Sequence, residues 1–488
     1  MKQKTSQWFS MLIVSSAIFL AVIDIFVVNV ALPAIQKGLK GTNGELQLVI
    51  AIYLLGYSCL LITGGRLGDY YGRKKIFIAG MLLFTVSSCF CGLAQSTGQL
   101  NIARFFQGIT AAIMTPQGVS YIQVLFPEEK ERMKAIGIYG IIAGSASVIG
   151  QFLGGLLPDT HFAVEGWRLI FFINVPVGIV AVIFAGLFLK ETPRNTSLKF
   201  DYEGVLLLTP ALFCLVFPVI QGRELGWPAW SVVLLLTAAP LFYLFYIHQR
   251  NKLTQGKEPL INMRLFYHKD FRIGLFASLF YFLVQESYFL ITGVFFQNGL
   301  GIPSYTTGSY FVFQGIGYVI ASILSVKLIP SFGKKVLVAG VLTMICAFVL
   351  HILFLDNLQA GPFAFAAILL LYGIGCGAVL PSLLAFSLKG IPHQFAGAAS
   401  GSYYTAQQSA IAMGAGIIGG VFFYVTGDSP SLQDYVTAYR AAAILSIAML
   451  VVVIGFLVIL PDSYTSTTRK VLKAKMPVNP QSCHLPGE

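Results

Sequence analysis

The sequence predicts an all-α polytopic membrane protein, and two observations carry that prediction. Of the 488 residues, 56% are hydrophobic and only 11% are charged, and the mean hydropathy is +0.77. A soluble chain carries about a quarter charged residues and has no means of burying so much apolar surface. In addition, apolar runs of membrane-spanning length follow one another along the chain, separated by short polar connections.

Fourteen apolar runs are long enough to cross a bilayer as helices. They lie near residues 9–34, 46–64, 76–95, 101–124, 134–157, 168–189, 204–221, 230–248, 271–297, 305–329, 335–355, 362–388, 396–424 and 440–460. The first run is too long for a signal-peptide core and lacks a cleavage site, so we expect it to remain as a span. The seventh and eighth are the weakest, because Pro210, Pro218 and Pro240 interrupt them.

The distribution of Lys and Arg predicts the orientation in the membrane. With the N-terminus in the cytoplasm, 26 of the 32 basic residues fall on the cytoplasmic side. The remaining six are Lys37, Lys40, Arg168, Arg223 and Arg440 outside, and Arg104 within a span. We therefore expect a multi-pass protein of the cell's inner (cytoplasmic) membrane with both termini cytoplasmic. This bias also explains the net charge of +12, so no nucleic-acid partner is expected.

An internal repeat divides the spans into two halves. Arg66-Leu67 and Gly72-Arg73-Lys74 recur 261 residues later as Lys327-Leu328 and Gly333-Lys334-Lys335. The repeat predicts an N-terminal six-helix bundle over 1–200, an inserted pair of transmembrane helices over 201–250, a C-terminal six-helix bundle over 251–462 and a cytoplasmic tail over 463–488. Repeated halves that place a substrate site between them near the bilayer midplane are a transporter architecture.

Two carboxylates are exceptional in their position. Of 20 Asp and Glu residues, only Asp24 and Glu286 lie deep within spans, where acids usually face a cavity and mark ion or substrate paths. Asp24 lies roughly 24 Å along its helix, and Glu286 lies at almost the same depth of its own run. We interpret them as a proton-coupling pair. The alternative interpretation is a protonated acid hydrogen-bonded between helices for packing.

The connection between the second and third spans is short and patterned. Its order, G-x-L-x-D-x-x-G-R-K, is narrower than the general enrichment of Lys and Arg in cytoplasmic loops, and it resembles a loop of the major facilitator superfamily. The resemblance implies a conformational loop that latches the cytoplasmic side. Its residues here are Gly65, Asp69, Gly72, Arg73 and Lys74.

Two further segments resemble the fourteen-span drug:proton antiporter family of multidrug exporters within that superfamily. Residues 20–33 match its first-span motif at Asp24, Asn29 and Pro33, where the acid is tied to proton exchange. Residues 104–108 resemble the R-x-x-Q-G motif of span four, which implies a part for Arg104 in proton transfer. Helix side chains lean toward the helix N-terminus, so Arg104 is expected to point outward, away from Asp24. Its alternative role is an interfacial anchor.

The fifth and sixth spans carry weaker signals. Residues 166–176 closely resemble the W-R-x-x-F-x-I-N-x-P motif of the same family, a strong family marker but a weak functional site. The antiporter-type fifth span carries Gly144, Gly150, Gln151, Gly154 and Gly155. The family has Gly-Pro where this chain has Gly150-Gln151, so the glycines still allow close helix packing but the proline bend is missing.

The substrate cavity is predicted from polar and aromatic side chains within spans. They are Tyr57, Gln117, Gln285, Tyr288, Gln314, Tyr404 and Gln408. Tyrosine rings and one or two carboxylates suit amphiphilic, often cationic, molecules. Individually, such residues more often serve helix packing than ligand contact.

The resemblance implies proton-coupled efflux of lipophilic compounds by alternating access. An exporter of an endogenous metabolite, siderophore or lipid is the first alternative, and a membrane receptor or enzyme is a remote one, since no catalytic constellation is present. The seven cysteines and six histidines show no metal or disulfide spacing, so no cofactor or metal is expected. The expected partners are a small amphiphilic substrate, protons and membrane lipid, with the protein acting as a monomer.

Overall fold

A computed structural model describes residues 2–160, 164–191, 200–222, 225–355, 362–388, 391, 396–427 and 429–460, and over these residues the regular structure is helical throughout. Its α-helices are α1 (Lys2–Leu39), α2 (Asn43–Tyr71), α3 (Arg73–Leu93), α4 (Thr97–Leu125), α5 (Glu129–Leu156), α6 (Gly166–Phe172), α7 (Asn174–Phe188), α8 (Tyr202–Gln221), α9 (Ala229–Thr254), α10 (Lys269–Val294), α11 (Ser304–Phe332), α12 (Lys335–Leu355), α13 (Pro362–Leu388), α14 (Ala396–Gly414), α15 (Gly420–Thr426) and α16 (Leu432–Ile459). The predicted tail over 463–488 lies outside the described residues.

Every one of the fourteen predicted apolar runs coincides with a helix. Thirteen helical units, with α6 and α7 counted as one and α14 and α15 as one, are long and apolar enough to cross a membrane. The remaining run is α4, which has 29 residues but carries buried polar side chains, Arg104 and Gln107 among them. The all-helical prediction is therefore confirmed, and α4 is the helix whose composition departs from that of an ordinary span.

The prediction of a loop over residues 65–75 is wrong, because these residues are helical on both sides of Gly72. Helix α2 continues to Tyr71 and α3 begins at Arg73, so Gly72 alone separates them. Gly72 has φ of +103°, a region that glycine adopts without steric cost. Gly65 lies within α2, where its neighbour Gly64 brings the helix against the backbone of Ala112 in α4. Helix α2 therefore runs through most of the stretch that the sequence predicts as the connection between the second and third spans.

The two ends of the helix bundle differ in the residues that they carry. Thr42 and Glu45 form a capping box at the start of α2, and Glu45 Oε1 also accepts a hydrogen bond of 2.6 Å from Thr97 at the start of α4. We call this the cap end. The other end carries Gly72 and the basic residues Arg73 and Lys74, and we call it the basic end.

The sequence halves meet at several helix pairs, among them α1 with α10 and α11. Helix α5 packs on α11, and α2 packs on α14. The inserted helix α8 touches both α2 and α14, with Thr209 Oγ1 donating a hydrogen bond of 3.2 Å to the Cys59 carbonyl of α2. We call the contacts of α5 with α11 and of α2 with α14 the seam. Helix α8 of the inserted pair lies against the part of the seam formed by α2 and α14. The exact domain boundaries stay a prediction.

Candidate functional site

Asp24 lies at the centre of a buried polar cluster in the first half. Its side chain is 0% exposed, and it forms an ion pair with Arg104, which is 1% exposed. Asp24 Oδ1 also accepts hydrogen bonds from Gln107 Nε2 at 2.9 Å and Asn174 Nδ2 at 3.0 Å. Helices α1, α4 and α7 thus bring one carboxylate and three donor side chains together in an otherwise apolar interior.

The guanidinium of Arg104 makes three hydrogen bonds. Arg104 Nε donates to the Val49 carbonyl at 3.1 Å. Arg104 Nη1, which donates to Asp24 Oδ2, also donates to Gln107 Oε1 at 2.8 Å. The Tyr53 ring lies 4.2 Å from the guanidinium carbon, within cation–π range. A buried charge is tolerated when it is paired and hydrogen-bonded in this way.

The expected outward orientation of Arg104 is therefore wrong. The tilt of helical side chains toward the helix N-terminus predicts where a side chain points only when no binding partner lies in another direction. Here α1 packs beside α4, and an unpaired guanidinium or carboxylate in this interior would be costly. The long Arg104 side chain reaches Asp24 instead, which also makes Asp24 a paired acid.

Ser88 and Cys91 of α3 complete the cluster. Ser88 Oγ accepts hydrogen bonds from Gln107 Nε2 at 3.2 Å and Asn174 Nδ2 at 3.0 Å, and it donates to the Phe171 carbonyl at 2.9 Å. The Cys91 thiol donates to Gln107 Oε1 at 3.2 Å. These contacts fix the amide of Gln107 on both sides.

Asn174 is the site residue that the sequence undervalued. Its motif marks the family, yet the structure places its amide directly on Asp24. The available signal was the I-N-x-P order, since a proline three residues after Ile173 favours a new helix start there. Asn174 is the first residue of α7, and its side chain is fully buried.

Glu286 is not brought into contact with Asp24. The hydrogen-bond and ion-pair partners that the structure gives Asp24 come from the first half, whereas Glu286 Oε1 accepts from Gln285 Nε2 at 3.1 Å. Glu286 Oε2 is buried without a hydrogen-bond partner among the described residues. The two acids thus occupy separate environments, and their joint role in coupling stays a prediction.

The fifth span uses its small residues on two faces. Gly150 and Gly154 lie against the backbone of α1 at Ile23 and Val27, and Gly155 lies against Gly308 of α11. Gly144 faces the Tyr318 ring. With Gln151 in place of the family's proline, α5 is one continuous helix from Glu129 to Leu156.

Gln151 and Gln314 meet across the seam. Gln151 Nε2 lies 3.4 Å from Gln314 Oε1, and both side chains are buried. Gln151 Oε1 has no partner within the described part of the chain. One of the predicted cavity residues, Gln314, is therefore placed at the contact between the halves.

Four tyrosines from different helices gather along the seam. Tyr57 of α2 lies near Tyr404 and Gln408 of α14. The role of these three residues as cavity residues stays a prediction. Tyr139 of α5 lies near Tyr57 and Tyr404, and Tyr318 of α11 also lies near Tyr404. Tyr318 was missed, although its i, i+4 spacing from Gln314 places both on one face of α11. Tyr404 is 37% exposed.

Two predicted cavity residues lie in helix contacts within a single half. Gln117 Nε2 donates to the Gly64 carbonyl at 2.7 Å and so joins α4 to α2. The Tyr288 hydroxyl lies 2.9 Å from His351 Nε2, and the Tyr288 ring stacks on Tyr372 at 3.6 Å. Contact of Gln117 and Tyr288 with substrate stays a prediction. The hydrogen bonds that hold both side chains between helices favour a packing role instead. Gln285 lies beside Glu286, as noted above.

The basic residues after Gly72 join helices of the first half. Arg73 pairs with Asp69 at 2.9 Å and donates to the Ser120 carbonyl of α4 at 2.9 Å. Lys74 Nζ donates to the Gly186 carbonyl of α7 at 2.8 Å. Arg66 reaches beyond this half to the Pro259 carbonyl at 3.4 Å. A latching role for this segment stays a prediction.

A second polar cluster, around Asp201, closes the inserted pair at the basic end. Asp201 accepts hydrogen bonds from Lys252 at 2.6 Å, Gln249 at 2.8 Å and the Leu260 amide at 3.0 Å. Asp201, Glu203 and His248 have the spacing of metal ligands, but Lys252 Nζ lies 2.6 Å from Asp201 and 3.4 Å from Glu203. The lysine ammonium thus takes the place that a cation would need.

The carboxyl of Asp201 titrates unusually. Burial by itself would raise the pKa of Asp201, but hydrogen bonds from Lys252, Gln249, the Gly204 amide and His248 outweigh it and hold the pKa below the ordinary value. The ionised form therefore stabilises the fold fully above the ordinary pKa of about 4, and this stabilisation is lost as the pH falls through the lowered pKa.

Asp201→Asn is expected to destabilise the protein by about 2 kcal/mol at pH 7, because the charge-assisted hydrogen bonds are lost. Thermal unfolding of the detergent-solubilised protein measures the effect, and the gap from wild type should shrink as the pH falls below 4. Glu203→Gln is the matched control, since Glu203 is 72% exposed and should cost little. Equal melting of wild type and Asp201→Asn at pH 7 would contradict this role.

Comparisons with known proteins agree on a family. A model of the Major Facilitator Superfamily matches residues 14–415. The chain is 32% identical to the "Probable actinorhodin transporter" of Streptomyces coelicolor, over 91% of this chain and 77% of the relative. It is 30% identical to the "Multidrug resistance protein Stp" of Mycobacterium tuberculosis, over 85% of this chain and 76% of the relative.

Solved structures share the fold. The xylose transporter XylE from E. coli, in an inward open conformation, superposes with a TM-score of 0.65 at 14% identity, over 96% of this chain and 99% of that one. At this identity, the likeness describes the fold alone.

Proposed function

Because the chain belongs to the Major Facilitator Superfamily, a family of transporters, we propose that it is a proton-coupled exporter of lipophilic, often cationic, amphiphiles across the cytoplasmic membrane. The observation that carries the proposal is the fully buried ion pair of Asp24 and Arg104. A buried, functionless ion pair is a poor stabiliser compared with apolar packing, so its presence in a membrane interior favours a role in ion movement.

The names of the relatives support export of drugs. One relative is named as a multidrug resistance protein and another as an actinorhodin transporter. The seam supplies a surface of matching chemistry, since Tyr57, Tyr139, Tyr318 and Tyr404 offer aromatic faces. We propose Glu286 of α10, whose Oε2 has no hydrogen-bond partner among the described residues, as the acid that meets a cationic substrate.

Coupling runs from the ion pair to the seam through α1 and α5. Protonation of Asp24 removes its charge and so weakens its hold on Arg104. Helix α1 carries Asp24 and, at Ile23 and Val27, lies against Gly150 and Gly154 of α5. The neighbouring face of α5, which includes Gly155, contacts α11, so a shift of α1 alters the contact between the halves.

The contacts between the halves favour a state closed at the cap end. Gln297 Nε2 donates to the Val30 carbonyl at 2.7 Å, and the Tyr305 amide donates to Asp159 at 3.1 Å. Nearer the basic end of α5, a Cβ added at Gly140 would meet no atom within 4 Å. With the basic end in the cytoplasm, contact between the halves at the cap end is the closure that an inward-facing state requires, and we infer that state here.

The finer assignments belong to the same proposal. We infer fourteen spans with α4 included, the drug:proton antiporter subfamily, both termini in the cytoplasm and a functional monomer. Two of the polar side chains that lower the hydropathy of α4, Arg104 and Gln107, bind Asp24, which is why a spanning helix can carry them.

Export of an endogenous metabolite, a siderophore or a lipid is the second candidate. The name of the actinorhodin relative favours it, since that name specifies a single compound rather than many drugs. A panel of cationic, neutral and anionic amphiphiles, tested for efflux from energised cells with and without a protonophore, separates the two. Protonophore-sensitive efflux of several unrelated compounds supports a multidrug exporter, and efflux that persists with the protonophore contradicts proton coupling.

Glu286→Gln is expected to leave neutral substrates exported but to lower export of strongly cationic ones at least about fivefold. The lost counter-charge is worth about 1–4 kcal/mol at effective dielectric constants between water and a protein surface. Efflux of paired neutral and cationic analogues measures the difference. Glu286→Asp keeps the charge and is the matched control. Equal loss for both substrate types would make Glu286 a coupling residue, and no loss for either would leave it a packing residue.

A further inference from the structure

We propose that Asn174 is a positioning residue that sets the pH at which Asp24 exchanges its proton, by presenting either an amide donor or an amide acceptor to that carboxyl group. This inference rests on the proposed function of proton coupling. It concerns the one polar neighbour of Asp24 that comes from the sixth span.

Asn174 lies at the junction of α6 and α7 in the sixth span, where the backbone of Ile173 keeps helical angles, and its side chain is aimed at Asp24. Helix α6 ends at Phe172 and α7 begins at Asn174, with Ile173 between them. The Ser88 hydroxyl donates a hydrogen bond of 2.9 Å to the Phe171 carbonyl, at the last turn of α6. This contact anchors the junction to α3, and the fully buried Asn174 side chain then reaches both Asp24 and Ser88.

The two amides on Asp24 differ in their freedom. Gln107 Oε1 accepts from both Arg104 and Cys91, while its Nε2 donates to Asp24, so a turn of this amide would break each of these bonds. Asn174 Oδ1 is buried and has no hydrogen-bond partner in the described chain. Turning the Asn174 amide therefore costs only the bonds of its nitrogen.

A protonated Asp24 needs an acceptor that its present neighbours do not offer. The ionised carboxylate accepts from Arg104, Gln107 and Asn174, all of which point N–H groups at it. When Asp24 is protonated, its O–H becomes a donor. Rotation of the Asn174 amide by half a turn presents Oδ1 to that proton and keeps the neutral acid hydrogen-bonded.

Few other titratable groups face Asp24. They are Arg104 from α4, Tyr53 from α2 and Cys91 from α3. The faces of α5 and α10 that pack on this part of α1 bring Gly150 and Phe289, which do not titrate. A change of pH dependence on altering Asn174 is therefore attributable to Asp24 and its ion pair.

The test replaces the amide and follows the pH profile. Asn174→Leu keeps much of the volume but removes both donor and acceptor. The donor bond to the ionised carboxylate is the stronger of the two, so the pH of half-maximal substrate-induced proton release should rise by about one unit. Asn174→Ser restores a group that both donates and accepts, and it should return the midpoint toward wild type.

The controls separate this inference from the proposed function. Asn101→Leu removes a buried amide of α4 and should leave the midpoint unchanged. Where Asn174→Leu fails to fold, Asn174→Ala carries the same test with the same expected shift. Loss of rate at every pH without a shift of midpoint would overturn the inference and leave Asn174 a packing residue. Absence of proton release from the wild type would instead overturn the proposed function.

Discussion

Asp24→Asn is expected to reduce proton-driven export to the level of cells that lack the protein. The substitution removes the ionisable group that loads and releases the proton, while the amide keeps the size of the side chain. It also leaves Arg104 buried without its counter-charge, and removing one partner of a buried ion pair costs about 3–5 kcal/mol. Efflux at matched expression and thermal unfolding measure the two effects.

A double variant distinguishes lost coupling from lost stability. Asp24→Asn combined with Arg104→Gln removes both charges, so it should regain much of the stability but none of the proton-driven export. Asp270→Asn, at the basic end of α10, is a control outside the cluster and should export as wild type. Export at the wild-type rate by Asp24→Asn would remove Asp24 from the proposed mechanism.

Gly155→Val is expected to lower export at least about fivefold by separating the two halves at the cap end. A Cβ at this position would lie 2.9 Å from Gly308 Cα and would collide with the Ser304 carbonyl of α11. Overpacking of this kind costs about 1–3 kcal/mol, which biases a two-state equilibrium by about 5- to 150-fold. The state closed at the cap end would become the minor one.

Gly140→Val is the matched control on the same helix. Its Cβ would meet no atom within 4 Å, so the substitution tests the effect of valine in α5 without a collision at the seam. Efflux at equal expression should be nearly normal for Gly140→Val and strongly reduced for Gly155→Val. Equal activity of the two variants would show that close contact of α5 with α11 is not required for turnover.

The helices were predictable because membrane spans depend on local composition. Runs of apolar residues long enough to cross a bilayer leave little choice of secondary structure, and each of the predicted runs coincides with a helix. The start of α16 was placed eight residues too late, since the capping box of Ser431 and Asp434 lies in a polar segment before the apolar run. Polar helix ends lack the hydropathy signal that identified the rest.

The candidate site was predictable only in part. The cost of an acid in an apolar span pointed to Asp24 and Glu286. Which side chains meet Asp24 depends on how α3, α4 and α7 pack on α1, and no single segment encodes that arrangement. The sequence motifs identify Arg104 and Asn174, but they predict the wrong direction for the Arg104 side chain. They also do not predict the contact of Asn174 with Asp24.

Proton counterflow in proteoliposomes tests the central claim most directly. Purified protein is reconstituted with a pH-sensitive dye in the lumen, and an exported amphiphile identified in the efflux panel is added on one side. We expect substrate and protons to cross in opposite directions in wild-type vesicles, with the proton movement absent for Asp24→Asn. Substrate movement without any proton movement, or movement of both in the same direction, would contradict proton-coupled export.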